Sequence, residues 1–127
     1  MRNPNRLYWL KKEIEQIEWQ IKELSILRGS TMSGMPSSRA ITSSVEQYVL
    51  KLEKLTEKLN KKRDEYIAEA VIIENFIENI EDDEIRLIAR KRFIEHKNFQ
   101  TIGDELFMDR TTASKKLTRY LERNNIQ

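Results

Sequence analysis

Residues 99–121 read FQTIGDELFMDRTTASKKLTRYL, and this stretch decides how the chain is organised. Phe99, Ile102, Gly103 and Leu106 recur at helical spacing and make one inner face. Asn98 stands just ahead of them, where a short amide side chain can accept from the free amides of a first helical turn. The period fails at Phe107-Met108, which predicts a tight turn, and Asp109 is placed to cap a further helix opening at Arg110. On that helix Ala113, Leu117, Tyr120 and Leu121 make the packed side. Arg110, Thr111, Ser114, Lys115, Thr118 and Arg119 are left outside.

A helix of about eight residues, a turn of about three and a helix of about twelve or more match helix-turn-helix spacing, in which the second helix enters the major groove of duplex DNA. The outer face carries the chemistry that groove reading needs. Arg110 and Lys115 can donate to guanine O6 and N7 or to phosphate, and Thr111 and Ser114 are short hydroxyls that can approach base edges. The first amides of that helix, at Arg110 and Thr111, suit a phosphate. Lys116, Arg119 and Arg123 are better placed for the flanking backbone, and Thr118 completes the candidate face. The same residues would also serve as an ordinary polar helix surface. The DNA-binding reading is favoured because cap, turn and apolar spacing all support one motif.

Upstream, Asp82-Asp83-Glu84 put acids where a helix dipole welcomes them, and Ile85, Ile88, Ala89, Arg92 and Phe93 continue as a short amphipathic helix to about Glu95. His96-Lys97-Asn98 is a break. The whole stretch IEDDEIRLIARKRFIEHKNFQTIGDELFMDRTTASKKLTRYLER resembles region 4 of bacterial sigma-70 factors. The likeness lies in Arg86, the pair Arg92-Phe93, then Asn98, Ile102, Leu106, Met108, Asp109, Ala113 and Leu117. It covers about a third of the chain and implies a DNA-binding domain of three helices, with RNA polymerase as a further partner touched by the acidic helix end. Three positions depart from the family. The usual Gly before the second helix is His96, an Ala on that helix is Gly103, and the turn Gly is Phe107. A residue other than Gly is costly in a left-handed turn, so this turn is expected to be built differently. Nothing resembles sigma region 2, so promoter melting is not expected.

The first half of the chain reads differently. Asn3-Pro4 opens a helix expected over residues 4–28, on which Leu7, Leu10, Ile14, Ile17, Ile21 and Leu24 alternate spacings of three and four. Trp9 and Trp19 lie beside that seam, and on a heptad helix they are expected to pack against it. Gly29 offers a C-terminal cap, and residues 29–43, GSTMSGMPSSRAITS, are expected to form a loop. Ser44, with Gln47 three residues on, predicts a capping box for a helix over 44–79. Val45, Tyr48, Leu52, Leu55 and Leu59, and later Tyr66, Ala70, Ile73, Phe76, Ile77 and Ile80, carry its stripe.

The expected architecture is therefore all-α: an N-terminal antiparallel, coiled-coil-like helical hairpin over 1–79, then a three-helix, helix-turn-helix domain over 80–127. The end of the long helix, Ile72 to Ile80, must bury its stripe on the C-terminal helices, on a second copy of the chain, or on both. Self-association through residues 7–24 and 45–80 is the expectation. A helical hairpin with a Ser/Gly-rich loop joined to a region-4-like domain is similar to short phage and prophage proteins of the ArpU and RinA type, which regulate late-gene transcription. That resemblance implies a sequence-specific regulator working in the cytoplasm of a bacterial host.

Charge and composition set limits. Residues 64–85 hold nine acids and no base, whereas five bases within 110–123 face only Glu122, so a cationic end lies behind an acidic collar. Cys is absent and His96 is the one imidazole, which removes thiolate zinc sites, Cys nucleophiles and most general-base chemistry; no enzyme activity, metal or cofactor is expected. The longest apolar run, Ala70-Val71-Ile72-Ile73, is far short of a membrane span, and no signal peptide is recognised, so no membrane association is expected. Two alternatives stay open. One is a small terminase subunit that marks phage DNA for packaging, and the other is a coiled-coil adaptor or sigma antagonist that does not bind DNA.

Overall fold

A computed structural model describes the backbone of residues 4–31 and 38–124, and the side chains of 4–26 and 44–124. Five helices and no strand occur among the described residues: α1 (Arg6–Thr31), α2 (Ser38–Glu78), α3 (Asp83–Phe93), α4 (Phe99–Leu106) and α5 (Arg110–Arg123). The all-α class follows from the 3.6-residue period that runs through most of the sequence.

The helix ends in the first half differ from expectation. α1 starts at Arg6, with Pro4 in the turn before it and the Asn5 carbonyl accepting from Trp9 N–H at 3.3 Å. It runs through Gly29 to Thr31, and α2 already begins at Ser38. Of the loop expected over 29–43, residues 32–37 lie outside the described residues and the flanks are helical. A lone Gly costs a helix only about 1 kcal/mol, and Ser, Thr and Ala cost less, so neither flank has to stop where the apolar stripe does. Ser44 is consequently an interior residue, and no capping box with Gln47 starts the helix.

The described chain falls into two compact units. One runs from Leu10 to Glu65. There Leu10, Ile17 and Leu59 are buried, while Ile14, Ile21, Leu52 and Leu55 are half-buried. Lys62 Nζ lies 2.8 Å from Glu13 and Arg63 Nη2 3.2 Å from Glu18, tying α2 to α1. The hydrogen bond to Glu13 holds the Lys62 amine above its ordinary value. Trp19 is 60% exposed, against the expectation that it packs; the seam is already filled by Leu and Ile, and the indole faces outward.

The other unit comprises the residues before Leu10 and those from Tyr66 onward. Its core draws on every helix: Leu7 of α1, Ile73 and Ile77 of α2, Ile85, Ile88, Ala89 and Phe93 of α3, Ile102 of α4, and Ala113 and Leu117 of α5, with Ile80 between α2 and α3. Ile73, Ile77, Ile88 and Ile102 are fully enclosed, each stabilising by about 1.5–3 kcal/mol relative to an exposed side chain. The apolar end of α2 thus buries its Ile73–Ile77–Ile80 edge on the C-terminal helices, while Ile72 stays 48% exposed. A fragment starting at residue 80 would leave out Leu7, Ile73 and Ile77.

Ion pairs join these elements. Arg90 Nη1 donates to Glu74 at 2.8 Å and Nη2 to Glu78, and Arg86 Nη1 donates to the Ile80 carbonyl at 2.7 Å, which fixes the end of α2 against α3. Arg6 pairs with Glu69 at 3.2 Å. Asp83 is taken by Arg86 and Glu84 by Lys116. Much of the acid-rich segment is therefore spent in ties within this unit. No helix among the described residues is long and apolar enough to cross a membrane.

Candidate nucleic-acid interface

The caps that start α3 and α4 form as the side-chain types require. Asp82 Oδ1 accepts from Ile85 N–H at 3.0 Å, and Asn98 Oδ1 accepts from Thr101 N–H at 2.8 Å. Asp109 occupies the N-cap of α5 in extended backbone, but its carboxylate makes no capping hydrogen bond, so the first-turn amides of α5 get nothing from it.

The turn between α4 and α5 corrects the expectation that it is built differently from the glycine-containing one. Phe107 has φ 57° and ψ 47°, the left-handed geometry in which Gly is favoured. His96, in the break before α4, has φ 58°. Both breaks thus take left-handed backbone without the Gly that would ease it. A close approach at Gly103 accompanies this turn. The Gly103 carbonyl accepts from Phe107 N–H and from Met108 N–H at 2.9 Å, so the chain doubles back directly over Gly103. A Cβ built there would stand 2.5 Å from the Met108 carbonyl oxygen and 3.1 Å from Arg110 N, both backbone atoms that cannot step aside. Position 103 suits Gly because the α4–α5 approach has no room for a methyl group.

Ala113 and Leu117 anchor α5 in the core and set its opposite side outward. Arg110, Thr111, Lys115, Thr118, Arg119 and Arg123 are exposed, while Ser114 and Lys116 are half-buried. No family model, curated protein or solved structure matches the chain. The assignment of a site therefore rests on this geometry alone.

The eight expected residues do not form one uniform surface. Arg110, Thr111, Ser114 and Lys115 line a recess of about 620 Å³ together with Arg92, Asn98, Phe99 and Gln100. Lys116, Arg119 and Arg123 line another of about 650 Å³, shared with Asp82, Ile85 and Glu122. Lys116 is drawn onto Glu84, and the Arg123 guanidinium lies 6.0 Å over the Tyr120 ring. Thr118 lines neither recess. The N-terminal half of α5 thus faces cations, hydroxyls, amides and the Phe99 ring with no acid among them, whereas the C-terminal half faces a mixture of both signs. Arg110, Lys115 and Arg119 make no ion pair among the described residues.

Arg92, Asn98 and Gln100 were absent from the sequence-derived set. Arg92 read as half of an Arg-aromatic pair and Asn98 as a cap, and both do those things: the Arg92 guanidinium sits 4.7 Å over Phe99 and donates to the Lys97 carbonyl at 3.1 Å. The place of Asn98 and Gln100 at the start of α4 was a usable signal, since the helix before the turn crosses the DNA backbone in such motifs. Arg92 lies at the end of α3 and joins them only through packing. Lys91 and Lys97, by contrast, are occupied by Glu105, with Lys97 Nζ 2.6 Å and 2.7 Å from its two oxygens. No group of three or more His, Asp or Glu fit to hold a metal occurs among the described residues.

Proposed function

We propose that the chain is a sequence-specific DNA-binding transcription regulator of the phage or prophage type, with α4, the Phe107–Asp109 turn and α5 acting as a helix-turn-helix and α5 entering the major groove. One observation carries this reading: Arg110, Thr111, Ser114 and Lys115 of α5 share one open recess whose lining includes no acid, while Ala113 and Leu117 of the same helix are buried. Arg110 and Lys115 suit guanine edges or phosphate, Thr111 and Ser114 suit base edges, and Arg92 with the amides of Asn98 and Gln100 suits the adjoining backbone. Arg119 and Arg123 reach flanking phosphates, and Lys116 contributes least because Glu84 already neutralises it.

The N-terminal helices serve, in this proposal, to pair copies of the chain as an antiparallel hairpin through residues 7–24 and 45–80. Exposed Trp19, Val49, Leu50, Ile67 and Val71 supply apolar area for such pairing. Two recognition helices on one duplex then offset the small interface of a single domain.

The test is selection of bound sequences from random duplex with the full chain, followed by Lys115→Ala on the selected site. A base-reading Lys115 predicts a loss of about 1–3 kcal/mol together with relaxed preference at one position. Affinity that barely changes between low and high salt would oppose any duplex contact, because neutralising phosphates releases counterions.

A further inference from the structure

Trp9 was expected to pack, yet it is 61% exposed, and it lies on the same compact unit as α4 and α5. Tyr8 meets it edge-to-face, ring centroids 5.1 Å apart, and meets His96 in the same manner at 5.8 Å. These three rings, with Asn5, Arg92 and Asn98, line a recess of about 480 Å³, a size typical of sites for single small planar groups. Arg92 and Asn98 also line the recess of Arg110 and Lys115, so the two are adjacent parts of one surface.

We infer that the Tyr8–Trp9–His96 recess binds an unpaired DNA base lying next to the duplex held by α5. The chemistry selects this occupant. An aromatic platform stacks on any base face, but in a paired duplex those faces are covered by neighbouring bases, so only an unpaired base can offer one. Asn98 Oδ1 is taken by Thr101 N–H, but its amide nitrogen can still donate to a base edge, and Arg92 lines both recesses, where a phosphate would join stacked base to duplex. An apolar protein segment fits worse, because it would take the charged Arg92 guanidinium out of water, and its one hydrogen bond to the Lys97 carbonyl leaves further donors to satisfy. The inference rests on the groove-binding proposal for α5 and adds a preference for distorted or melted DNA.

The test uses the full chain carrying Trp19→Phe, which leaves Trp9 as the sole indole and alters an exposed position. Two duplexes of the same mixed sequence are compared, one fully paired and one with a short central bubble of unpaired thymines. The bubbled duplex is expected to bind roughly tenfold tighter, as one base–aromatic stack allows, and to quench Trp9 emission where the paired duplex does not. Trp9→Ala should erase the preference while leaving paired-duplex affinity unchanged, and Trp9→Phe should restore part of it. Equal affinity for the two duplexes, or a preference that survives Trp9→Ala, overturns the inference and leaves the α5 proposal standing. Failure to bind either duplex overturns both.

Discussion

The two compact units spend similar apolar sequence to different effect. From Tyr66 onward, side chains from α2, α3, α4 and α5 enclose Ile73, Ile77, Ile88 and Ile102 completely. Between Leu10 and Glu65 the stripe is as regular, yet among the described residues only Leu10, Ile17 and Leu59 are buried hydrophobics, while Trp19, Ile26, Val49 and Leu50 stay exposed. Geometry accounts for this. Two helices have one shared face, so residues beyond that seam meet water, whereas short helices joined by tight turns can surround a centre. The first unit is finished within the chain. The second leaves apolar surface uncovered, and this is the surface that the proposed pairing of copies would cover.

The largest effect expected from a single change tests how tightly the finished unit is closed. In an open helix Gly103→Ala would stabilise by about 1 kcal/mol through helix propensity. Here the added methyl meets the Met108 carbonyl oxygen at 2.5 Å, so the sign reverses and a net loss of about 2 kcal/mol is expected, read from the midpoint of urea unfolding. A more stable variant would mean that the α4–α5 turn is looser than described. The counterpart in the other unit is Leu52→Asp at a half-buried seam position. It should weaken self-association by about tenfold or more, the equivalent of about 1.4 kcal/mol, measured by sedimentation, and leave the helical signal of α3 to α5 intact. If copies stay paired, the seam lies elsewhere.

That contrast also marks what the sequence made legible. Apolar spacing located α3, α4 and α5 to within a residue or two, because each is short, capped by Asp82 or Asn98 or preceded by Asp109, and bounded by a break. The ends of α1 and α2 were missed because Ser, Thr and Gly weaken a helix without forbidding it, and only tertiary context decides. The turn was misjudged for a related reason. A left-handed Phe107 is unfavourable by about 1–2 kcal/mol, but two hydrogen bonds to the Gly103 carbonyl and the closure over Gly103 outweigh it. Of the candidate face, Arg110, Thr111, Ser114 and Lys115 were recoverable from helical period alone. The pairing of Lys116 with Glu84, and the joining of Arg92 and Asn98 to the recess, depend on which helices touch, and no periodicity carries that.

Smaller changes sharpen the account of the turn. Phe107 is 96% exposed, so its ring contributes no burial that a substitution would lose. Phe107→Gly should therefore stabilise by about 0.5–1 kcal/mol, the relief of the left-handed backbone less the greater entropy of an unfolded Gly. His96→Gly relieves the same geometry but removes a half-buried ring stacked edge-on against Tyr8, so it should gain less. Thermal midpoints of the two variants, measured side by side, check the order. An equal gain would mean that the Tyr8–His96 contact contributes nothing to the fold.

The smallest expected effect is a pH dependence at the foot of α4. Hydrogen bonds from Lys97, with Lys91 and Lys97 nearby as charges, hold the Glu105 carboxyl below the ordinary carboxylate value. The same Glu105 bond, followed by Glu95, holds the Lys97 amine above its ordinary value. A depressed carboxyl gives stability that is in place above its unfolded value and is lost as pH falls through the folded one. A raised amine gives stability that is in place below its unfolded value and is lost as pH rises through the folded one. Between those two limits the pair contributes fully, and both side chains are open enough to water that the contribution is small. Glu105→Gln should accordingly leave a thermal midpoint that falls less steeply on acidification than that of the parent chain. The difference should shrink as salt is added, since exposed ion pairs are screened. An acid limb identical in both proteins would mean that the Lys91–Glu105–Lys97 cluster is incidental to how α4 is held.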